Sequence, residues 1–365
     1  MIPLFRPDYD QREAAAVADV LNSGWVGLGP RTQRFEQQFA ERVGARYAVA
    51  TNSCTAALHI ALELLGVGPG DEVIVPTLTF VSTAHAVRYC GAKPVFCDID
   101  SESLCINFDD VARRITSRTA AIIPVLYAGQ PLDVGTQYVT PDGRAIPLIY
   151  DAAHAAGSTF DAGGSKLACW SFHAVKNLAC GDGGMLTTSD REQAERARRL
   201  RWLGIDRSTW DRSAVGRRYW WEYDVAEIGH KYHMNDIAAA IGLVQLARLD
   251  DMQQARRRIA RRYRERLREI VRLPVEVPGS SRHLFVIRTP LRDELAAALR
   301  DAEIHTGVHY KPLHLYPCYG PQPSLPVAER EWQEILSLPM FPRLQLAEVD
   351  RICDVIRDVA TGGGV

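Results

Sequence analysis

From residue 11 to about 245 the chain alternates segments of helical periodicity with short apolar runs, and this alternation constrains its fold more than any other feature. EQQFAERVGARYAVATN reads as helix, turn and strand, and CTAALHIALELLGVGPGDEVIVP reads as helix, Gly/Pro break and strand. FVSTAHAVRYCGAKPVFCDID repeats the pattern, while TAAIIPVLYAG and AIPLIYDAAHAAG add two buried strands bounded by turn residues. Strands separated by helices form βαβ units, so the spacing predicts an α/β fold with a mostly parallel central sheet flanked by helices on both faces. In such sheets ligands bind outside the carboxyl ends of the strands. Chemistry is therefore expected at residues 52–55, 77–80, 127–130 and 151–154, and around Lys176.

A long basic segment follows, QQARRRIARRYRERLREIVR. Within it Ile259, Tyr263, Leu267 and Ile270 recur at helical spacing, which places the arginines on the solvated face of an amphipathic helix opening a second domain. Beyond it, LFVIR and LAAALRDAEIHTGVHY read as strand, helix and strand, a smaller α+β unit, and the terminal TGGGV has nothing to pack. The expected division is a large domain at 1–250 and a small C-terminal domain at 251–365.

Composition limits the partners. At 47% apolar and 24% charged residues the chain has the mixture of a globular protein, and its formal net charge of -1 offers no field to draw nucleic acid or an anionic membrane. One basic stripe in a neutral chain does not change that, so a small molecule is the expected ligand. The eight cysteines form no CxxC pair and no zinc spacing, so free thiols and no metal centre are expected. The opening MIPLFRPDYDQRE brings charge by Arg6 and lacks the apolar run of a signal peptide, no apolar segment is long enough to span a bilayer, and a cytoplasmic location is expected.

Four features carry chemistry, and each has a bland reading beside the functional one. Asp151, ending one apolar run and opening AAHAAG, is either a helix N-cap or a carboxylate held to pair with a cationic ring nitrogen, as on pyridoxal phosphate. Lys176, in SFHAVKNLACGDGGM, either snorkels to water or is desolvated into a nucleophilic amine, and the glycines behind it allow a sharp return as a strand. TNSCTAALHIAL is a strand end entering a helix whose first turn suits phosphate, although Ser53 also suits simple capping. Phe80 belongs to the core or stacks on a flat cofactor. Together, in this order, they match what a pyridoxal phosphate site needs.

The same residues resemble the DegT/DnrJ/EryC1/StrS sugar aminotransferases, of the type I pyridoxal-phosphate transferase fold. The likeness runs through NSGWVGLGPRTQRFEQQFAERVG, NSCTAALHIAL, GDEVIVPTLTFVSTAHAV, GAKPVFCDID, LYAGQPLD, DAAHAAGS, SFHAVKNL with GDGG, KYHMNDIAAAIGLVQL, TGVHYKPLHLYPCY and LSLPMFPRL. The resemblance implies that Lys176 bonds to the cofactor aldehyde and moves protons, and that Asp151 keeps the pyridine nitrogen protonated. It places His154 near the phenolic oxygen, Phe80 on the ring, and Thr55, Ala56 and Ser171 at the phosphate. It implies a homodimer with shared active sites, in which Lys231 or His233 of GHKYHMND reaches the neighbour's phosphate, and it places His309, Tyr310 and His314 at the sugar end. The implied reaction is ping-pong transamination from glutamate to a keto-sugar on a nucleoside diphosphate, with a keto-cyclitol as an alternative acceptor.

Departures from the family pattern are Cys54 where glycine is common, Tyr150 where an acidic residue is common, and GTQYVTPDGRAIPL in place of a crossover helix. RSTWDRSAVGRRYWWEYDV is expected as a loop near the substrate mouth. Two rivals are disfavoured. The dehydratases of this fold carry histidine at the position of Lys176, and GVGPGD follows a helix where a nicotinamide fingerprint would follow a strand.

Overall fold

A computed structural model describes residues 1–132, 134, 137–160, 167–206, 210 and 222–362. Two amphipathic helices lead in. Helix α1 (Gln11–Ser23) starts in a capping box between Asp10 and Glu13 and stops at Gly24 in the left-handed region, and α2 (Pro30–Arg42) starts on its proline. The alternation then unfolds as β1 (Tyr47–Thr51), α3 (Cys54–Leu64), β2 (Glu72–Pro76), α4 (Ser82–Tyr89), β3 (Lys93–Cys97), α5 (Phe108–Arg114) and β4 (Thr119–Ile122). It continues through β5 (Ile149–Asp151), β6 (Leu167–Ser171), β7 (Gly184–Thr188), α6 (Arg191–Leu200) and α7 (Asp236–Ala247).

Strands β3, β2 and β4 pair in parallel. Strands β5 and β6 are also parallel, while β7 runs antiparallel to both β6 and β1. Parallel bridges Ile122–Leu148 and Val125–Asp151 join the two ladders, so the strand order is β3-β2-β4-β5-β6-β7-β1. Because β1 lies at one edge and β2 beyond β4, α3 must cross β7, β6 and β5, and it packs on all three. That explains why every residue from Ala56 to Leu62 is buried. The carboxyl end of β1 and the first turn of α3 are thereby held over the ends of the central strands, where order reverses and a crevice opens.

The remainder forms a smaller layer: α8 (Leu249–Leu267), β8 (Phe285–Arg288), α9 (Arg292–Asp301), α10 (Pro326–Glu334), β9 (Ile335–Leu338) and α11 (Leu346–Ala360). Ile259, Tyr263 and Leu267 of α8 meet Phe285, Leu295, Leu336, Ile352 and Ile356 in one buried cluster, which Ile2 also joins. Leu249 and Met252 of the same helix instead pack with Trp170, Phe172 and Met185 under the large sheet, so α8 threads both cores. No helix among the described residues is long and apolar enough to cross a membrane.

Several local expectations change. The antiparallel partner of β8 is ILSL, as β9, and not the segment after α9; residues 304 and 307 make only isolated bridges to Ile2 and Ser337. The arginines of α8 are not all solvated, for Arg256 is 2% exposed. Arg262 and Arg266 clamp Asp350 of α11 at 2.7 and 2.9 Å. Where a crossover helix was replaced, residues 137–148 turn back through a Val139–Ala145 bridge with Gly143 at φ 85°. Of the segment expected at the substrate mouth, 207–209 and 211–221 lie outside the described residues; Trp210 packs edge-on to Trp25 at 4.9 Å.

Candidate active site

The crevice holds a cavity of about 410 Å³. Its wall is built from successive strand ends: Ser53, Cys54 and Thr55 after β1, Thr79 and Phe80 after β2, Val125 after β4, Asp151 of β5, Ser171 of β6, and Asp182 and Gly183 before the antiparallel β7. The second layer contributes His309 and Tyr310, and the turn after β6 contributes His173 and Lys176. Backbone packing here is tight. A Cβ on Gly184 would stand 2.3 Å from the Ser53 carbonyl carbon, so glycine at that point lets β7 abut the start of α3.

Asp151 is 4% exposed, and no helix follows it, which removes the N-cap reading. Its carboxylate accepts from Thr83 Oγ1 at 2.8 Å and from the Ala153 amide at 3.1 Å, with Cys54 Sγ at 3.9 Å. Burial nevertheless raises its pKa, offset by those donors and by the Lys176 cation. A cationic ring N–H is the kind of partner that such a carboxylate would favour. Lys176 follows the turn closed by its own amide on His173 O, and burial lowers its amine to about 8. Among the described residues that amine has no hydrogen-bond or ion-pair partner.

His154 Nε2 lies 3.1 Å from the Tyr310 hydroxyl, while Nδ1 is buried without a partner. Burial, and then the Lys176 and His309 charges, hold its pKa well below the ordinary value, so the ring is neutral at pH 7. Phe80 is 57% exposed and tilts over the cavity 6.0 Å from the Tyr310 ring, the posture of a platform and not of a core residue. Ser53 caps α3 by accepting from the Ala56 amide at 3.1 Å, so capping and an anion-binding helix start coexist. Thr55 Oγ1 donates to Ser82 Oγ at 2.8 Å, and Ser171 Oγ accepts from the His173 amide at 3.4 Å.

One expected cavity residue stands elsewhere, and the two expected at a neighbour's phosphate lie outside the cavity of their own chain. His314 is buried with both ring nitrogens engaged, by Thr77 Oγ1 at 2.7 Å and Glu329 Oε1 at 3.0 Å, so it does not line the cavity. Lys231 and His233 also lie outside the cavity of their own chain: Lys231 Nζ is 3.7 Å from the Trp202 ring centre, and His233 meets the same indole edge-on at 4.4 Å. They lie on a strip that runs beside the end of β1, bridging Thr51 to His233. Cys54 faces Asp151, and Tyr150 packs against Phe160 at 5.0 Å.

Some contributors were not singled out from the sequence, although Tyr127 lies in the strand end 127–130 where chemistry was expected. Thr83 sits one turn beyond Phe80 in TLTFVSTAH, and Tyr127 donates its hydroxyl to His309 O. Asn177, directly after Lys176, donates to Ser281 O at 2.9 Å and meets His283 Nδ1 at 3.1 Å; the His283 ring lies 4.3 Å from His154. Adjacency to Lys176 was the available signal for Asn177.

The family model of the DegT/DnrJ/EryC1/StrS aminotransferases matches residues 7–357. The chain belongs to that family. Its fold is therefore the type I fold of pyridoxal-phosphate-dependent aminotransferases, and the enzyme is a sugar aminotransferase of this group. Among solved structures it is similar to the aminotransferase TlmJ from Streptoalloteichus hindustanus, at 38% identity and TM-score 0.88 over 100% of both chains. DesV of S. venezuelae, solved with a ketimine intermediate, shows 35% identity and TM-score 0.85 over 96% of this chain and 94% of its own. The putative sugar aminotransferase Spr1654 from Streptococcus pneumoniae, in its PMP form, shows 30% identity and TM-score 0.91 over 99% and 100%.

The aminotransferase cavity fits pyridoxal phosphate. It offers an uncommitted amine, a buried carboxylate, an exposed aromatic platform and a helix start whose Cys54 and Thr55 amides precede the first intrahelical bond, Ala57 N–H to Ser53 O.

Proposed function

We propose that this aminotransferase moves the amino group of glutamate onto a keto-sugar carried by a nucleoside diphosphate, most simply a 4-keto-6-deoxyhexose on dTDP or a 3-keto sugar, in deoxyaminosugar synthesis. The observation that carries the chemistry is that Lys176 and Asp151 line one cavity at the start of α3. Bound pyridoxal phosphate supplies an aldehyde to hold nitrogen and a ring to accept an electron pair.

The chain's own groups do the rest. Lys176, with its amine lowered to about 8, would move a proton between the substrate carbon and the cofactor within each half-reaction, in one direction for the amino donor and in the reverse for the acceptor. Asp151 pairs with the ring N–H, and Thr83 and the Ala153 amide fix its orientation. His154, oriented by Tyr310, would offer a neutral imidazole to the phenolic oxygen, and the amides of Cys54 and Thr55 with Ser171 would receive the phosphate, the Ala56 amide being held by Ser53 Oγ. Phe80 stacks on the ring, and His309 and Tyr310 face the sugar. A homodimer, in which Lys231 or His233 completes the neighbour's phosphate site, belongs to the same proposal, as does a cytoplasmic setting.

The test begins with purified protein and added cofactor. Borohydride should fix the cofactor onto Lys176, glutamate should bleach the visible band, and a panel of nucleotide keto-sugars and keto-cyclitols, read by mass, should show one amine product. Absence of a borohydride-trapped adduct at Lys176 overturns the chemistry. An aminated cyclitol with no aminated nucleotide sugar overturns only the acceptor.

A further inference from the structure

The face of α3 turned away from the cavity carries a cluster that transamination does not use. His59 and Glu63 are one helical turn apart, so their side chains leave the same face. His230 arrives from the strip beside it, its amide donating to Leu200 O at 2.6 Å and its carbonyl accepting from Leu203 N at 3.0 Å. His230 Nε2 lies 3.1 and 3.0 Å from the two Glu63 oxygens, and His59 Nε2 lies 3.9 Å from Glu63 Oε1. The three potential ligand atoms all fall within 4.8 Å of one another, and the two imidazole rings are 4.7 Å apart.

His59 Nδ1 faces the Tyr232 hydroxyl at 3.3 Å. Where Nδ1 donates its N–H to that oxygen, Nε2 keeps a lone pair open to a metal ion. Two imidazoles and one carboxylate are a donor set of zinc-class ions. Ligand bonds of about 2.1 Å place tetrahedral donor atoms roughly 3.4 Å apart, between the shorter and longer separations here. Tyr232 on Nδ1 is the outer partner that fixes the ring of a metal-bound histidine. Other charges nearby sit to one side: Arg196 donates to the Glu63 carbonyl at 3.1 Å and pairs with Glu227 at 3.0 Å, leaving the Glu63 carboxylate to the histidines.

We propose that His59, Glu63 and His230 bind a single divalent zinc-class ion per chain, with a water in the fourth position, and that the ion pins the strip carrying Lys231 and His233 against α3. The role is structural. It stands whether or not the acceptor proposed above is correct, since its test reads metal and not product.

The test uses untagged holoenzyme, stripped with chelator, gel-filtered and titrated with zinc chloride by calorimetry, with zinc counted after desalting. Wild type should retain one zinc per chain, and cobalt(II) in its place should show the intense visible absorption of a four-coordinate ion. His230→Gln, at a half-exposed position, should weaken zinc at least tenfold while the cofactor's visible band reports an intact fold. His59→Gln should do the same, and His305→Gln, an exposed histidine on the small domain, should bind as wild type. Wild type that retains no zinc after desalting, or His230→Gln that retains it as well as wild type, overturns the site.

Discussion

Lys176, half-buried in the cavity wall, and Arg256, buried between the cores, are both cations set among protein atoms, yet they serve opposite ends. Arg256 of α8 donates to the carbonyls of Met340 at 3.0 Å, Arg282 at 3.4 Å and His283 at 3.5 Å, joining three segments of the junction between the two cores. Lys176 sits in the cavity wall with no protein partner for its amine among the described residues. Burial lowers the basicity of both. The guanidinium of Arg256 delocalises its charge and meets three carbonyls through Nη1, although its Nε is buried without an acceptor, whereas an ammonium left without acceptors tends to lose its proton and become a nucleophile. A cation held by carbonyls between the cores therefore marks architecture here, and one facing a cavity without acceptors marks chemistry. The two are linked in space, since Arg256 holds the carbonyl of His283, whose ring meets Asn177 next to Lys176.

Substitution separates these roles, and the largest effect should come at Lys176. Lys176→Ala should lower the transamination rate by at least about 10⁴-fold, the upper range for a positioned proton-transfer group. Its cofactor-free form should melt close to wild type, because the amine makes no hydrogen bond or ion pair in the protein and its charge only eases the burial of Asp151. Steady-state kinetics and thermal melts check the pair, and a large loss of stability would break the contrast. Arg256→Met should show the reverse: a loss of about 2–4 kcal/mol in urea unfolding, as buried carbonyls lose their donor, with the borohydride-trapped adduct still forming at Lys176.

How much of this was legible in the sequence depended on the range of the interaction. The parallel sheet followed from the alternation of apolar runs, because strand and helix periodicities are local. Asp151, Lys176 and the start of α3 were readable because strand ends carry the chemistry in such sheets, and the resemblance fixed their order. Arg256 was legible and misjudged. It stands three residues before Ile259 and seven before Tyr263, on the apolar stripe of α8 and not on the solvated side. Thr83 on Asp151 was out of reach, since nothing local to α4 says which strand end its hydroxyl meets. The pairing of β8 with ILSL was equally non-local, and four buried apolar or small residues there read as well for a turn of buried helix.

A smaller effect should follow pH. Lowering the Lys176 amine from its ordinary value to about 8 leaves it mostly protonated at pH 6 and mostly neutral at pH 9. Since only the neutral amine captures the cofactor aldehyde, the rate of reconstitution from cofactor-free protein should climb toward about tenfold per pH unit below 8 and level above it. Stopped-flow absorbance checks this. A rise continuing unbent to pH 10 would mean an amine as solvated as an ordinary lysine and would remove the distinction from Arg256.

The smallest effect sharpens the comparison at a residue whose sequence suggested the wrong side of it. His314 lies in HYKPLHLY, beside two residues that line the cavity, but the short helical turn Leu313–Leu315 directs it inward between layers. There it joins Thr77, just beyond β2, to Glu329 of α10, with both ring nitrogens spent and none left for a substrate. Like Arg256, it has its partners and so should count as architecture. His314→Gln, whose single amide cannot meet both partners along the ring axis, should cost about 1 kcal/mol in urea unfolding. It should leave kcat/KM for the sugar acceptor within about twofold, because the cavity wall is formed by His309 and Tyr310. A tenfold loss of kcat/KM at unchanged stability would show that hydrogen-bond saturation does not separate the structural from the chemical side chains of this enzyme.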